Sequence, residues 1–422
     1  MNVKKPDNQE HLASHLFRTE AGKMVSVLTR IFGLSHIEIA EDIVQDTFLK
    51  ALNEWSYNNI PQNPEAWLYK VAKNKTIDYL RHKKHVQVYE SDVSHLLKSE
   101  WTLSSSVSNM FLDSEIQDNQ LRMIFAACHP SLPKESQIAL TLKTLCGFSI
   151  KEISKALLTT EANINKRLFR AKEKLREENC KFEIPMGDEL INRLDSVYKV
   201  IYLIFNEGYS STESEKVIRK DLCAEALRLC QLLSEHSIGD MPETYALLAL
   251  MCFHASRLDA RVDDKGYIIL LKEQDRNLWN KALIAKGYEY ISKASSGNEL
   301  SEYHIEAAIA TYYASAKKFE DTDWKSILEL YYILEKINPS PITILNKVIV
   351  LSQINGPNEA LDELLKIKNL DKYYLYHTTL AELYKQLNQK EKAKIHLEAA
   401  LKLTNSKAEI LLIKKRLEEL KT

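Results

Sequence analysis

Glycine and proline are scarce in this chain, which has ten of each among 422 residues. Soluble proteins usually contain roughly 7% glycine and 5% proline. Folds made of many short strands depend on both residues at their turns, so the shortage argues against an all-β architecture. We therefore expect an all-α fold, with room for about three domains at ~150 residues each.

Other absences exclude whole classes of protein. The six cysteines include no CxxC pair, which argues against a disulfide framework and favours reduced, buried thiols. The N-terminus lacks the apolar core of a signal peptide. The longest uncharged run, 244–256, is shorter than the ~20 residues that a membrane span needs. We therefore expect a cytoplasmic protein without membrane contact.

Apolar residues recur at steps of three and four through most of the chain, as in amphipathic helices. The pattern covers 9–85, is interrupted by "NNIPQNP", and returns over 119–179. Between them, 86–118 is acidic and rich in serine, which we interpret as an extended or partly ordered linker. A further boundary falls at "EIPMGDEL", 183–190.

The rest of the chain continues as helices with two local features. The segment "ARVDDKGYIILL" combines a turn with a β-branched run and predicts a small hairpin. Ala360 and Ala393 are 33 positions apart, and the residues near them fit paired helices of the tetratricopeptide type, which repeat every ~34 residues. We expect a larger helical domain that ends in such repeats.

Residues 148–176 hold two amphipathic helices separated by a short turn, with a cap at Thr159–Glu161. The second helix has an apolar inner face of Ile164, Leu168, Ala171 and Leu175. In a helix-turn-helix, the second helix enters the DNA major groove, where asparagine and arginine can pair with base edges and other cations contact phosphates. A solvated surface helix is the alternative, but the cap and both apolar stripes favour DNA binding. The outer residues expected to bind are Asn163, Lys166, Arg167, Arg170 and Lys174.

Residues 132–176 resemble region 4 of an extracytoplasmic-function sigma factor, the subunit of bacterial RNA polymerase that selects promoters. Two upstream segments, 40–55 and 63–84, resemble region 2 of the same family and occur in the expected order. One departure is Leu158, where many helix-turn-helix motifs have glycine. The resemblance implies two small helical domains, region 2 at 9–85 and region 4 at 119–182, joined by the acidic linker 86–118.

The resemblance also implies partners and sites. The helix at 40–55 would dock on the clamp of the largest polymerase subunit, and the polymerase flap would be a second contact. Carboxylates and an amide on one exposed side suit cations on a partner, with Ile43, Val44, Phe48 and Leu52 facing inward. The residues expected to contact polymerase are Asp42, Gln45 and Asp46.

The segment 63–85 would melt and recognise the −10 element, and the preceding loop, 56–63, would receive a flipped base. Stacking a base on an aromatic ring is worth ~1–3 kcal/mol, about what unpairing and unstacking it costs. Core packing remains the alternative for Trp67 and Tyr79. The residues expected at the −10 element are Asn58, Asn59, Trp67, Lys70, Asn74, Lys75 and Arg81, and the outer face of 161–176 would bind the −35 element.

Residues 190–422 exceed a minimal sigma factor and resemble the helical extension of one subgroup, so we expect intramolecular contact between the extension and the sigma domains. A polar cluster there is either a ligand pocket or a salt-bridged network, and we favour the network. It consists of Arg257, Asp259, Arg261, Asp263, Gln274, Asp275, Arg276 and Trp279.

The chain shows no metal-ligand spacing and no nucleophile–base spacing. "CHP" at 128–130 and the pair Cys252/His254 are interpreted as packing residues. We therefore expect no enzyme activity, no cofactor and no metal. Two alternatives stay open: a helix-turn-helix regulator with a tetratricopeptide sensor, and a ligand-binding or enzymatic extension addressed to DNA.

Overall fold

The chain is helical throughout the part that the computed structural model describes. That part comprises residues 7–55, 60–83, 100–157, 159–209, 218–263, 267–297, 299–368, 370–404 and 406–420. Within these ranges the only β pairing is an isolated antiparallel bridge between Val262 and Ile268. The all-α prediction is confirmed. Every described helix is too short or too polar to cross a membrane.

The chain divides into two compact units, and the first comprises Met1–Leu203. Both segments that resemble sigma regions lie in this unit. Its helices are α1 (Asp7–Phe32), α2 (Ile37–Glu54), α3 (Pro64–Lys83), α4 (Glu100–Asn109), α5 (Asp113–Ala127), α6 (Lys134–Thr144), α7 (Ile150–Ala156), α8 (Glu161–Glu177) and the start of α9 (Asp188–Tyr209).

Helix α1 is the centre of the first unit. It packs against α2 and α3 on one side and against α5 and α6 on the other. Its apolar residues Met24, Leu28, Ile31 and Phe32 are fully buried. Because one helix contacts both groups, the predicted regions 2 and 4 share a hydrophobic core.

Two glycines allow α1 to approach the α6–α7 connection closely. A Cβ at Gly22 would collide with the backbone of Leu145. Gly147 has φ 64° and lies beside the backbone of Phe17 and Arg18, and glycine adopts that left-handed conformation most readily. The absence of side chains at these two positions therefore sets the distance between the predicted regions.

The second unit comprises Ile204–Thr422. Helix α11 is buried almost all round and packs against α10, α12 and α13. The later helices pack in sequential pairs. After the end of α9, the helices are α10 (Lys220–Ser234), α11 (Pro242–Ser256), α12 (Lys281–Ala294), α13 (Glu302–Ser315), α14 (Trp324–Ile337), α15 (Pro341–Ile354), α16 (Pro357–Lys366), α17 (Tyr374–Gln386), α18 (Lys390–Leu403) and α19 (Lys407–Glu419).

Small residues mark the contacts between the last helices, as the repeat interpretation requires. Ala360, Ala381, Ala393 and Ala400 are buried in one cluster with Leu397. Alanine lets two helices approach closely, and larger neighbours fill the remaining space. The extension is a helical, tetratricopeptide-like domain.

Two local expectations can be compared with the structure in detail. The linker was expected to be extended or partly ordered, and its residues from 100 onward form α4 and the start of α5. Leu103, Val107 and Phe111 are buried at helical spacing, a stripe that the acidic composition concealed. The predicted small hairpin is present in minimal form: Val262 and Ile268 make an antiparallel bridge, and the N–H groups of Asp263 and Ile269 donate to the carbonyls of Tyr267 and Arg261. Residues 264–266 of its turn lie outside the described residues.

We predict that Gly22→Ala lowers the free energy of unfolding by about 1–2 kcal/mol. Alanine favours a helix by about 1 kcal/mol over glycine, but overpacking costs about 1–3 kcal/mol. The obstacle here is backbone, which a rotamer change cannot relieve, so the clash should outweigh the propensity. Urea unfolding followed by circular dichroism measures the difference.

Thr19→Ala is the matched control, since Thr19 lies on the exposed side of the same helix. Its effect should stay within about 0.5 kcal/mol. A Gly22→Ala protein as stable as the wild type would show that α1 and the α6–α7 connection are not in close contact.

Candidate nucleic-acid and polymerase interfaces

Helices α7 and α8 form the predicted helix-turn-helix, and side chains cap both. The Ser149 backbone N–H donates to Glu152 at 2.8 Å, and the Glu152 N–H donates to the Ser149 hydroxyl at 3.2 Å. At the start of α8, the Thr160 hydroxyl accepts from the Asn163 N–H at 3.2 Å. Capping residues satisfy N–H groups that a helix start leaves unpaired. The predicted cap at Thr159–Glu161 is confirmed; Leu158 lies outside the described residues.

Helix α8 buries one face and leaves the other open, as its pattern predicts. Ile164, Leu168, Ala171 and Leu175 are buried. Within the described part of the chain, Lys166, Arg167 and Arg170 make no ion pair or hydrogen bond, and only Arg167 is half-buried. These cations occupy the N-terminal and central turns of the helix.

Two other predicted −35 residues have partners. The Asn163 amide donates to the Thr159 hydroxyl at 3.1 Å, and Lys174 pairs with Glu178 at 2.7 Å. Both contacts are exposed, and exposed ion pairs contribute little to stability. Either side chain can therefore exchange its partner for a DNA group at low cost.

The outer side of α8 also carries an aromatic residue that the sequence analysis missed. Phe169 is 62% exposed, although phenylalanine usually lies inside a protein. It follows Lys166 by one helical turn, beside the unpaired cations. Its signal was available in the sequence, because it falls outside the apolar stripe of α8.

Helix α2 presents a mixed polar and apolar stripe. The predicted polymerase-contacting residues Asp42, Gln45 and Asp46 are all exposed. Leu49 continues the stripe and is 57% exposed. Leu52 is 51% exposed, so the expectation that it packs inward was wrong. The two leucines give this face an apolar component that sequence analysis did not assign to it.

Helix α3 carries the predicted −10 residues that the structure describes. Lys70, Asn74 and Arg81 are exposed at spacings of four and seven, so they share one face. Arg81 lies 4.0 Å from Asp78. Lys75 instead pairs with Asp46 of α2 at 3.1 Å, so two residues predicted for different partners contact each other. Asn58 and Asn59 lie outside the described residues.

The aromatic residues around α3 all make internal ring contacts. Trp67 packs edge-on against the buried Trp55, with ring centroids 5.3 Å apart. Tyr79 packs on Phe32 at 5.4 Å. Tyr69 donates its hydroxyl to Glu20 at 2.7 Å. Packing therefore occupies much of each ring, and the half-exposed Trp67 keeps an edge toward solvent.

The two candidate DNA-binding regions meet along a seam between α8 and the α1–α2 junction. Lys172 of α8 pairs with Glu41 of α2 at 2.7 Å, and each side chain is only 13% exposed. Arg176 donates to the Ser35 carbonyl at 3.2 Å and also pairs with Glu38. The C-terminal half of α8 is thus held by region 2, whereas its N-terminal half is open.

A second contact joins the other end of the seam. Arg18 of α1 pairs with Glu152 of α7, and its guanidinium lies 4.3 Å above the Phe148 ring. Burial raises the pKa of Glu152, but hydrogen bonds from Ser149 and the charge of Arg18 outweigh burial and leave it below its ordinary value. Glu152 is therefore ionised near neutral pH and serves both the cap and the seam.

Two open grooves lie along the seam. A cavity of about 220 Å³ lies between the α1–α2 turn and the segment after α8, lined by Arg30, Leu34 and Phe182 among others. Another of about 250 Å³ lies beside Phe48 and Gly147. Both spaces open to solvent, so they lie at the surface of the seam and leave the hydrophobic core around α1 intact.

In the polar cluster of the second unit, the arginine side chains mainly contact tyrosine and backbone carbonyl groups. Arg257 donates to the Tyr209 hydroxyl at 2.8 Å, and Arg261 lies 3.6 Å from the Tyr209 ring centroid. Arg276 donates to the carbonyls of Tyr313 and Ala316 at 2.6 and 2.7 Å. The guanidinium groups therefore fix this segment to neighbouring helices.

One buried histidine lies beside these arginines. Burial, together with the charges of Arg257 and Arg261, lowers the pKa of His254 to about 3. Its imidazole is therefore neutral at physiological pH, in agreement with the interpretation of His254 as a packing residue.

Family models match three parts of the chain. Sigma-70 region 2 matches residues 16–86, and Sigma-70 region 4 matches residues 122–175. A family of unknown function (DUF6596) matches residues 193–295. The matches cover the exposed stripes of α2 and α3, the helix-turn-helix and the polar cluster.

Curated relatives agree with these matches. The chain is 34% identical over 386 residues to an uncharacterized protein of Rhizobium meliloti, which covers 91% of this chain and 90% of the relative. It is 31% identical over 140 residues to the ECF RNA polymerase sigma factor SigM of Bacillus subtilis, covering 33% of this chain and 78% of SigM. SigW of the same organism is 26% identical over 154 residues, covering 34% of this chain and 78% of SigW. No solved structure matches the chain.

We predict that Lys172→Glu lowers the free energy of unfolding by roughly 3 kcal/mol, because removing one member of a buried ion pair leaves the other charge unpaired. Glu41→Lys should cost somewhat less, because Lys172 keeps a second carboxylate, Glu38, at 3.9 Å. The double exchange restores opposite charges at the same positions, so it should recover most of the loss. Urea unfolding of the four proteins measures the coupling.

Lys174→Glu is the matched control, since Lys174 lies on the same helix and its partner, Glu178, is exposed. It should change stability little. If the double exchange were no more stable than either single variant, Lys172 and Glu41 would not be in contact.

Proposed function

The chain belongs to the extracytoplasmic-function family of RNA polymerase sigma factors, and we propose that it directs polymerase to promoters through two helical surfaces that must separate first. Region 2 holds polymerase and melts the −10 element. Region 4 binds the −35 element, and the extension modulates both. RNA synthesis itself belongs to the polymerase.

The stripe on α2 is the proposed contact with the polymerase clamp, with the flap as a contact of region 4. Asp42 and Gln45 are exposed and make no contact within the described chain, and Leu49 adds an apolar surface. Charged groups at an interface mainly set orientation and association rate, whereas a buried apolar centre supplies affinity. The stripe offers both, which supports a docking role over an ordinary solvated face.

The −35 contact is proposed for the open half of α8. The main observation in its support is that Lys166, Arg167 and Arg170 lie on the outer face of a capped helix. They have no ion-pair or hydrogen-bond partner within the described residues. Arginine can pair with two acceptors of guanine, and lysine contacts phosphates. Phe169 is suited to contact a thymine methyl group. Asn163 and Lys174 flank this face.

The −10 contact is proposed for the outer face of α3. Lys70, Asn74 and Arg81 line that face, with Lys75 and Trp67 at its edge. Asn58 and Asn59, which precede α3 in the sequence, are outside the described residues and stay part of the proposal. Unpairing a base costs a few kcal/mol, which stacking on an aromatic edge can offset. Phosphate contacts of this kind weaken steeply as salt is added.

The seam between α8 and region 2 is the basis for the other part of the proposal, that the two regions separate when they bind a promoter. Promoter elements bound by the two regions are several tens of ångströms apart, at ~3.4 Å per base pair. A compact unit held by Lys172 and Glu41 does not span that distance. Polymerase and DNA must therefore bind the separated form more tightly, because a ligand shifts an equilibrium only by its differential affinity.

The extension is proposed to act through its first helix. Arg193 of α9 donates to the Phe125 carbonyl at 2.7 Å, and Ser196 donates to the Cys128 carbonyl at 3.0 Å. Both acceptors belong to the end of α5, within the predicted region 4. A movement of α9 would thus be transmitted to the helix-turn-helix, which supports regulation within one chain.

Transcription from purified components tests the function. The full chain is mixed with core polymerase and a promoter library, and the transcripts are sequenced. RNA that starts at defined sites, dependent on the protein, is expected. The absence of such RNA would remove the sigma-factor proposal.

Within that assay, Arg167→Ala should reduce transcription about tenfold or more on promoters with an upstream element, since a bidentate base contact is worth about 1–3 kcal/mol. Lys181→Ala removes an exposed cation outside α8 and is the matched control. Equal losses for the two variants would show that total charge, not a base contact, is responsible.

Asp46→Arg should weaken binding to core polymerase about tenfold, because a like charge would face the cations of the partner. Lys75→Ala breaks the same intramolecular ion pair but leaves the carboxylate in place. It should bind core polymerase normally. Glu115→Arg, on α5, controls for charge reversal.

Affinity is measured by fluorescence anisotropy of the labelled chain. Unchanged binding of Asp46→Arg would mean that the α2 stripe is not the docking face. If Lys75→Ala weakened polymerase binding as much as Asp46→Arg, Asp46 would act only by holding α3 in place.

A further inference from the structure

Three potential metal ligands meet at the C-terminal end of the helix-turn-helix, beside Lys174 at the edge of the proposed DNA face. One ligand atom each from His129, Glu178 and Cys180 lies within 4.8 Å of the other two. His129 follows α5, whereas Glu178 and Cys180 follow α8. Their convergence is a property of the fold, because almost 50 residues separate the two segments.

The local backbone brings Cys180 back toward His129. Asn179 adopts a left-handed conformation with φ 49°. The Cys180 N–H then bonds to the Leu175 carbonyl at 2.9 Å, and the Asn179 N–H bonds to the Arg176 carbonyl at 3.0 Å. This pair of bonds is the Schellman ending of a helix. It reverses the chain and orients the thiol toward the imidazole.

The spacing of two of the donors already suits zinc. The Cys180 Sγ lies 3.7 Å from the His129 Nε2. Zinc binds sulfur at about 2.3 Å and imidazole nitrogen at about 2.0 Å, which at a tetrahedral angle separates the two donors by about 3.5 Å. Glu178 is exposed, so its flexible carboxylate can complete a third position.

A second residue holds the imidazole in place. The Ser131 hydroxyl lies 2.8 Å from the His129 Nδ1, and the amide of Gln137 donates to the His129 carbonyl at 2.8 Å. The Ser131 backbone N–H also donates to His129 Nδ1, at 3.3 Å, which places the ring proton on Nε2. To bind a metal through Nε2, the imidazole must carry its proton on Nδ1, where the Ser131 hydroxyl can accept it. Such a partner on the other ring nitrogen is usual for histidines that bind metals.

We propose that His129, Glu178 and Cys180 bind a zinc ion. Thiolate, imidazole and carboxylate together are a zinc donor set, and three protein ligands leave a fourth position for water or another ligand. To bind the metal, Glu178 gives up its ion pair with Lys174. That ion pair is exposed and therefore contributes little to stability.

The consequence is a cross-link between two ends of region 4. The ion ties the end of α8 to the turn between α5 and α6. Cys180 also lines the cavity of about 220 Å³ at the seam, so the bound metal would stiffen the segment that faces region 2. This inference does not depend on the proposed transcription function.

Cobalt absorption tests the site directly in the full chain. The metal-free protein is titrated with Co²⁺, and a thiolate-to-cobalt charge-transfer band is expected at one equivalent. Zn²⁺ should abolish the band by displacement and should raise the melting temperature. Cys180→Ser and His129→Ala should lose the band.

Milder variants keep the test decisive if those two proteins fold poorly. Glu178→Gln, at an exposed position, should weaken zinc binding at least tenfold, as measured by competition with a chelator. Ser131→Ala should weaken it about tenfold, as changes of supporting partners do. Glu177→Gln and Cys252→Ser are the matched controls and should bind like the wild type.

The absence of a charge-transfer band in the wild type would overturn the proposal. So would a band that survives in a folded Cys180→Ser protein, since another thiol would then be the ligand. Equal zinc affinity of Glu178→Gln and the wild type would remove the carboxylate from the site.

Discussion

The ion pair between Lys172 and Glu41 joins the recognition helix to region 2. Both side chains are almost removed from solvent, so the pair fixes the C-terminal half of α8 and leaves the cations of its N-terminal half open. The same contact holds in one compact unit the two surfaces that are proposed to bind distant parts of a promoter. Under the proposed function, this arrangement links DNA binding to separation of the two regions.

The energies involved are compatible with a switch. Removing one partner of a buried pair costs about 3–5 kcal/mol, but separating both partners into water returns their hydration and costs far less. A polymerase that binds only the open form could supply the difference.

Much of the fold and part of the candidate site could be predicted from local sequence. The α8 face was predictable because Ile164 and Leu168 mark its buried side at helical spacing. Local sequence could not predict the exposure of Leu49 and Leu52 or the partners of Lys75 and Lys172. These features depend on which helices pack against α2 and α8. Helix α4 was missed because its apolar stripe, including Val107, lies in an acidic segment. Asn58 and Asn59 remain predictions.

The distance between regions 2 and 4 tests the central claim most directly. Spin labels at Asp78 of α3 and Glu177 of α8, both exposed, can be introduced as non-natural amino acids to avoid the native cysteines. Electron–electron double resonance should give one narrow distribution for the free protein and a shift of tens of ångströms in the complex with polymerase and promoter. An identical distribution in a complex that makes RNA would contradict the account, because the two regions would then act without separating.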